Sequence, residues 1–189
     1  MNLKPVLAGA FTGLLLTAAA SAQEAAPPPA RPDTKNVGDW EVRCFPVQNA
    51  NPCDMFQEMA NKESRRRILS ISLAYAPSAN RHLLQITVPL EVSIQKGLTI
   101  QTDNYTSPVL KYRMCTREGC FVQMGPDNAL VEALAKSGPQ AKLNIVGDNG
   151  KSYGLQFSLK GFAAAHDEMV AEARVKAKPV AQTGDAAKP

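Results

Sequence analysis

Two histidines and four cysteines in 189 residues leave little raw material for metal centres or histidine-based catalysis. The chain has no H-E-x-x-H, no G-x-S-x-G, no glycine-rich phosphate loop and no dinucleotide fingerprint. The sequence signals of zinc proteases, serine hydrolases and nucleotide-binding enzymes are therefore missing. Tryptophan occurs once. Charge of one sign is also scarce: 21 Lys+Arg against 17 Asp+Glu leave +4, too small a surplus to predict nucleic-acid binding. What remains is ordinary for one soluble domain. At 44% hydrophobic and 20% charged, the composition excludes wholesale disorder.

The one long apolar run is at the N-terminus. Lys4 precedes Val6–Ala20, and Ala20-Ser21-Ala22 fits the small-x-small cleavage rule, so residues 1–22 read as a secretory signal peptide with Gln23 as the mature N-terminus. The run of about fifteen residues is shorter than the roughly 20 that span a bilayer, which argues against an anchor. No later segment is apolar enough to cross a membrane as a helix. The expected location is the periplasm, or the outside of the cell after secretion.

Residues 23–36 are rich in Pro and Ala, with Pro27-Pro28-Pro29 and Pro32, and read as a linker. Residues 166–189 read as a tail, partly helical and then disordered. Between them, residues 37–165 alternate at period two. Trp40, Val42 and Cys44 share one face; so do Leu69, Ile71, Leu73 and Tyr75; Leu84, Ile86 and Val88; Leu98 and Ile100; Leu143 and Ile145; and Leu155, Phe157 and Leu159. One dry and one wet face per strand is the mark of antiparallel sheets. Gly147-Asp148-Asn149-Gly150 reads as a hairpin turn, and Gly119 as another. Asp127 can cap a helix carrying Leu130 and Leu134, with Glu132 and Lys136 paired at i,i+4 and Gly138-Pro139 as the stop. A weaker helical pattern runs from about Ala163 to Val175, with Phe162, Ala165 and Met169 toward the body. The expected fold is mainly β: an antiparallel β-sandwich with one short internal helix and a second helix near the C-terminus.

Four cysteines allow three pairings. Cys115 and Cys120 flank a tight hairpin, and Cys44 ends one strand while Cys53 begins the next, so the pairs Cys44–Cys53 and Cys115–Cys120 are expected. Spacings of eight and four intervening residues match neither the C-x-x-C of thiol oxidoreductases nor a zinc knuckle. Structural disulfides of an exported chain are the expectation, with redox or metal chemistry the alternative.

Candidate binding residues are few. Lys62-Glu63-Ser64-Arg65-Arg66-Arg67 is the densest basic run; Arg65, Arg66 and Arg67 suggest a patch for lipopolysaccharide, sulfated glycans or phospholipid headgroups. The plainer alternative is a solvated loop that shields a strand edge. Trp40 belongs with the core face. Tyr105, Tyr112 and Phe121 suggest an exposed aromatic patch around the second cysteine hairpin. His82 reads as a strand-end residue, and His166 lies near the second helix; neither has another histidine at ligand spacing. No catalytic, cofactor-binding or metal-ligating residue is assigned.

Gly38-Asp39-Trp40-Glu41-Val42-Arg43-Cys44, Pro52-Cys53, Val88-Pro89-Leu90, Gly97-Leu98, Cys115 with Gly119-Cys120-Phe121, and Ser158-Leu159-Lys160-Gly161-Phe162 occur in an order that resembles the invasion-associated locus B family. The resemblance covers about residues 37–165. It implies an exported proteobacterial protein of β-sandwich type, linked in some members to invasion of host cells. It brings no catalytic residues. The expected function is a non-enzymatic envelope protein that binds a protein partner or an envelope or host-surface ligand. The alternatives are a periplasmic accessory or stress factor, and an envelope enzyme using thiols or His82.

Overall fold

A computed structural model describes residues 31–46 and 49–177. The leader, the start of the linker and the last twelve residues of the tail, 178–189, lie outside the described residues. Ten strands and two helices follow one another as β1 Asp33–Val37, β2 Trp40–Cys44, β3 Cys53–Ala60, β4 Arg67–Ala76, β5 Arg81–Val88, β6 Leu98–Gln101, β7 Met114–Thr116, β8 Gly119–Met124, α1 Asn128–Lys136, β9 Gln140–Val146, β10 Ser152–Ser158 and α2 Phe162–Lys176. All pairings are antiparallel. One sheet has seven strands in the order β1-β2-β3-β4-β5-β8-β7, and the other has three, β10-β9-β6.

The alternation decides which face is dry. Trp40, Val42 and Cys44, Leu69, Ile71, Leu73 and Tyr75, Leu84, Ile86 and Val88 are all buried on the large sheet. Leu98, Ile100, Leu143, Ile145 and Phe157 supply the small sheet's share, and every one of these residues belongs to a single hydrophobic cluster. Helix α2 packs on β2, β3 and β4. It buries Phe162, Ala165, Met169 and Ala173, and the Phe162 ring meets Trp40 edge-on at 5.2 Å. Trp40 is thus a core residue, and its indole Nε1 donates to the Ser158 carbonyl at 3.2 Å. Helix α1 starts as its residues dictate: the Asp127 carboxylate accepts from the Leu130 N–H at 2.8 Å.

Two boundaries differ from the sequence expectation. Residues 33–36, read as linker, form most of β1, which pairs along its whole length with β2. An edge strand needs only backbone hydrogen bonds from its neighbour, so its exposed, polar side chains carry no alternation to read. The tight β1–β2 turn needs Gly38, because a Cβ there would sit 2.4 Å from the Lys160 carbonyl oxygen. At the other end the body does not stop at residue 165. Met169 and Ala173 are fully buried, so α2, which runs to Lys176, is part of the core through Ala173. Two ion pairs join these late recruits: Lys35 to Glu168 at 2.6 Å and Lys176 to Asp33 at 2.8 Å. Leu159, read as the end of β10, is buried just beyond it.

Candidate functional site

Both disulfides form as the spacing suggests, Cys44–Cys53 and Cys115–Cys120. Each joins directly opposed residues of neighbouring antiparallel strands, with Cα atoms 4.1 and 4.0 Å apart. All four cysteines are consumed. Cys44, Cys53 and Cys120 are buried, whereas Cys115 is exposed on the edge strand β7.

The basic run joins β3 to β4. Strand order explains what it meets. In an antiparallel sheet the end of β3, the start of β4, the end of β5 and the β7–β8 turn all lie at the same end. There the three loops enclose a groove of about 580 Å³, lined among others by Arg66, Arg67, Leu90, Glu91, Arg117 and Glu118. The β3–β4 loop is held in shape: Asn61 Oδ1 accepts from the N–H groups of Glu63 and Ser64, both at 2.9 Å, and the Arg65 N–H donates to the Asn61 carbonyl at 2.9 Å.

The three arginines of the run have different fates. Arg67 is committed within the protein: its guanidinium lies 3.6 Å from the Glu58 carboxylate and 3.7 Å from that of Glu118, and donates to the Glu118 carbonyl at 3.1 Å. Arg66 lines the groove and is exposed. Arg65 is exposed, has a left-handed backbone (φ 57°), and does not line it. Arg117, from the β7–β8 turn, lines the same groove as Arg66, as does Leu90, which is 48% exposed. Sequence reading missed Arg117 and Leu90, because only the strand order brings residues 66, 90 and 117 together.

The aromatic patch does not form as expected. Tyr112 is buried, its hydroxyl has no hydrogen-bond partner among the described residues, and burial pushes its ionisation up to about 12. Tyr105 and Phe121 are only half-buried. On the outer face of the large sheet, Arg43 forks onto Asp54 (Nε to Oδ1 2.9 Å, Nη2 to Oδ2 2.5 Å), and the Ser72 hydroxyl donates to Asp54 Oδ2 at 2.6 Å. The same guanidinium lies 3.8 Å from the centre of the Phe56 ring. Every charge there is matched, so this network pins strands together.

The two histidines, which the sequence left apart, meet at the opposite end of the sheet from the groove. His82 Nε2 is 2.9 Å from His166 Nε2. Burial and the neighbouring His166 lower the pKa of His82 below its ordinary value.

With that geometry in hand, residues 40–170 match the profile of the Invasion associated locus B (IalB) protein family. The chain belongs to this family. Two invasion protein B homologs of Brucella abortus, from strain 2308 and from biovar 1 strain 9-941, are each 26% identical over 163 residues, covering 86% of this chain and 93% of theirs. The crystal structure of invasion associated protein B from Bartonella henselae superposes with a TM-score of 0.65 at 23% identity, covering 75% of this chain and 98% of that one. The IalB fold is therefore shared. The IalB match takes in both disulfides, all three groove loops and both histidines. Among the described residues no helix is long and apolar enough to cross a membrane.

Proposed function

We propose that the protein is exported and works at the envelope as a binding protein rather than an enzyme, using the Arg66–Arg117 groove to engage anionic headgroups. The observation that carries this reading is the convergence, from two separate loops, of two exposed guanidinium groups beside an exposed leucine. Guanidinium groups fork onto phosphate and sulfate, and an adjacent apolar side chain adds contact area next to the headgroup. Export is supported by the leader sequence and by four cysteines paired as disulfides, which persist in oxidising compartments. The names of the relatives, an invasion protein B homolog and an invasion associated protein B, supply the setting, which we take to be invasion of host cells.

Sedimentation with vesicles tests the groove. The mature chain is expected to partition onto phosphatidylcholine vesicles containing phosphatidylglycerol and not onto phosphatidylcholine alone. At about 1 kcal/mol per basic residue near a membrane surface, Arg66→Ala with Arg117→Ala lowers that partitioning by roughly 30-fold. Equal binding to both vesicle types, or an unaffected double variant, overturns the reading. N-terminal sequencing of the native protein, expected to begin at Gln23, tests export. A gene deletion that leaves host-cell invasion unchanged removes the host setting.

A further inference from the structure

We propose that His82 and His166 form a site for a divalent transition-metal ion of the imidazole-preferring class, Cu2+, Ni2+ or Zn2+. The proposal stands apart from the groove, which lies at the other end of the sheet. The residues are 84 positions apart in sequence, one near the start of β5 and one in the second turn of α2, yet their Nε2 atoms face each other at 2.9 Å.

The distance is the first argument. Two nitrogens each about 2.05 Å from one metal and at right angles to each other lie about 2.9 Å apart, and a tetrahedral angle puts them at about 3.3 Å. The separation therefore matches adjacent positions of a square-planar or octahedral ion once the rings turn to aim both Nε2 lone pairs at one point, and a tetrahedral one after opening by about 0.4 Å. Without metal the same spacing is satisfied when one Nε2–H donates to the other ring; on binding an ion the donor ring moves that proton to its own Nδ1, with no net proton released.

Preorganisation is the second argument. Strand β5 is interior to the large sheet, between β4 and β8, and α2 is anchored by the fully buried Ala165 and Met169. The Tyr75 ring lies against His82, with centroids 5.2 Å apart. The Tyr75 hydroxyl donates to Asn80 Oδ1 at 2.6 Å and accepts from Arg174 at 3.4 Å, which fixes that ring in turn. His166 Nδ1 is 3.1 Å from Asp167 Oδ1. A carboxylate on Nδ1 holds the proton there and leaves the Nε2 lone pair for a metal, the arrangement found behind most ligating histidines.

Among the described residues no group of three or more His, Cys, Asp or Glu is placed to hold a metal. The remaining positions go to water or an exchangeable ligand, which makes this an open site. The Arg174 guanidinium, 5.6 Å from the Tyr75 ring centre, is a like charge that opposes a bound cation.

The test uses the untagged mature chain and Cu2+ alone, followed by Ni2+ and Zn2+. Calorimetry is expected to show one Cu2+ per chain with no net proton release at neutral pH, and electron paramagnetic resonance to show two nitrogen ligands. Because the chain has only two histidines, its imidazole NMR signals report on this site alone, and both should respond together at one equivalent. His82→Ala and His166→Ala each abolish the one-equivalent binding. Asp167→Asn, on the surface, weakens it about tenfold. Binding that survives His82→Ala, or imidazole signals unmoved by one equivalent of Cu2+ in the wild-type chain, overturns the proposal; the second measurement needs no variant to fold.

Discussion

Graded reduction of the native protein will release its thiols in two separate steps, the first pair being Cys115 and Cys120. A reductant must reach a sulfur, and Cys115 lies exposed on β7, an edge strand bonded only to β8. Cys44 and Cys53 are 4% and 0% exposed and belong to the hydrophobic cluster, so their bridge opens only with the structure around it. Sequence separations of 5 and 9 residues give loop-closure contributions of about 2.1 and 2.6 kcal/mol. The first step therefore costs about 2 kcal/mol, which lowers Tm by roughly 6–10 °C for a domain of this size and leaves the core folded. Thiol counting against dithiothreitol concentration, with alkylated peptides identified by mass spectrometry, reads the order. Thermal melts of the half-reduced species read the magnitude. Release of four thiols together, or Cys44 and Cys53 appearing first, refutes the reasoning.

Other outcomes follow from single contacts. Tyr112→Phe removes a buried hydroxyl that no group among the described residues satisfies, and is expected to stabilise by about 1 kcal/mol in denaturant melts. The same residue sets an alkaline limit. Its phenol ionises near pH 10 when unfolded but only at about 12 when folded, so between those values the unfolded chain loses the proton first. Stability therefore falls as pH rises through that window, by at most about 3 kcal/mol, and the Phe variant loses this part of the slope. Met169→Ala empties fully buried space between α2 and the sheet and is expected to cost about 2–5 kcal/mol by urea unfolding. Asp33 runs the other way from Tyr112: the hydrogen bond from Lys176 holds its carboxyl below the usual range. Its contribution is complete above the ordinary carboxylate pKa and is lost as pH falls toward the folded value. Amide exchange in the last turn of α2 should quicken there in the wild type, and be already quick and independent of that pH step in Asp33→Asn.

Elements that bury one face were legible in the sequence. Trp40-Val42-Cys44, Leu69 to Tyr75 and Leu84 to Val88 alternate because the pleat does, and Asp127 caps α1 because short acceptors satisfy the first free N–H groups. Strand β1 was not legible. It pairs through backbone alone and leaves side chains such as Thr34, Lys35 and Asn36 in water. The disulfides were readable from short spacing across turns. The groove and the histidine pair were not, because each is a product of strand order. Arg117 shares a groove with Arg66 only after β8 has been inserted beside β5, and His166 meets His82 only after α2 has folded back over the large sheet. Tyr112 misled because an aromatic residue near a turn carries the same local signal whether it faces solvent or core.

The ion pairs between β1 and α2 bring the first and last described elements side by side. Trimming either one strips cover from the other, so a shortened chain loses order at both extremities together. The same proximity makes the polypeptide a candidate for recutting: stitching those extremities with a short flexible segment and opening the chain at the exposed Asn149–Gly150 turn would keep every strand pairing while moving the ends to the far side of the body.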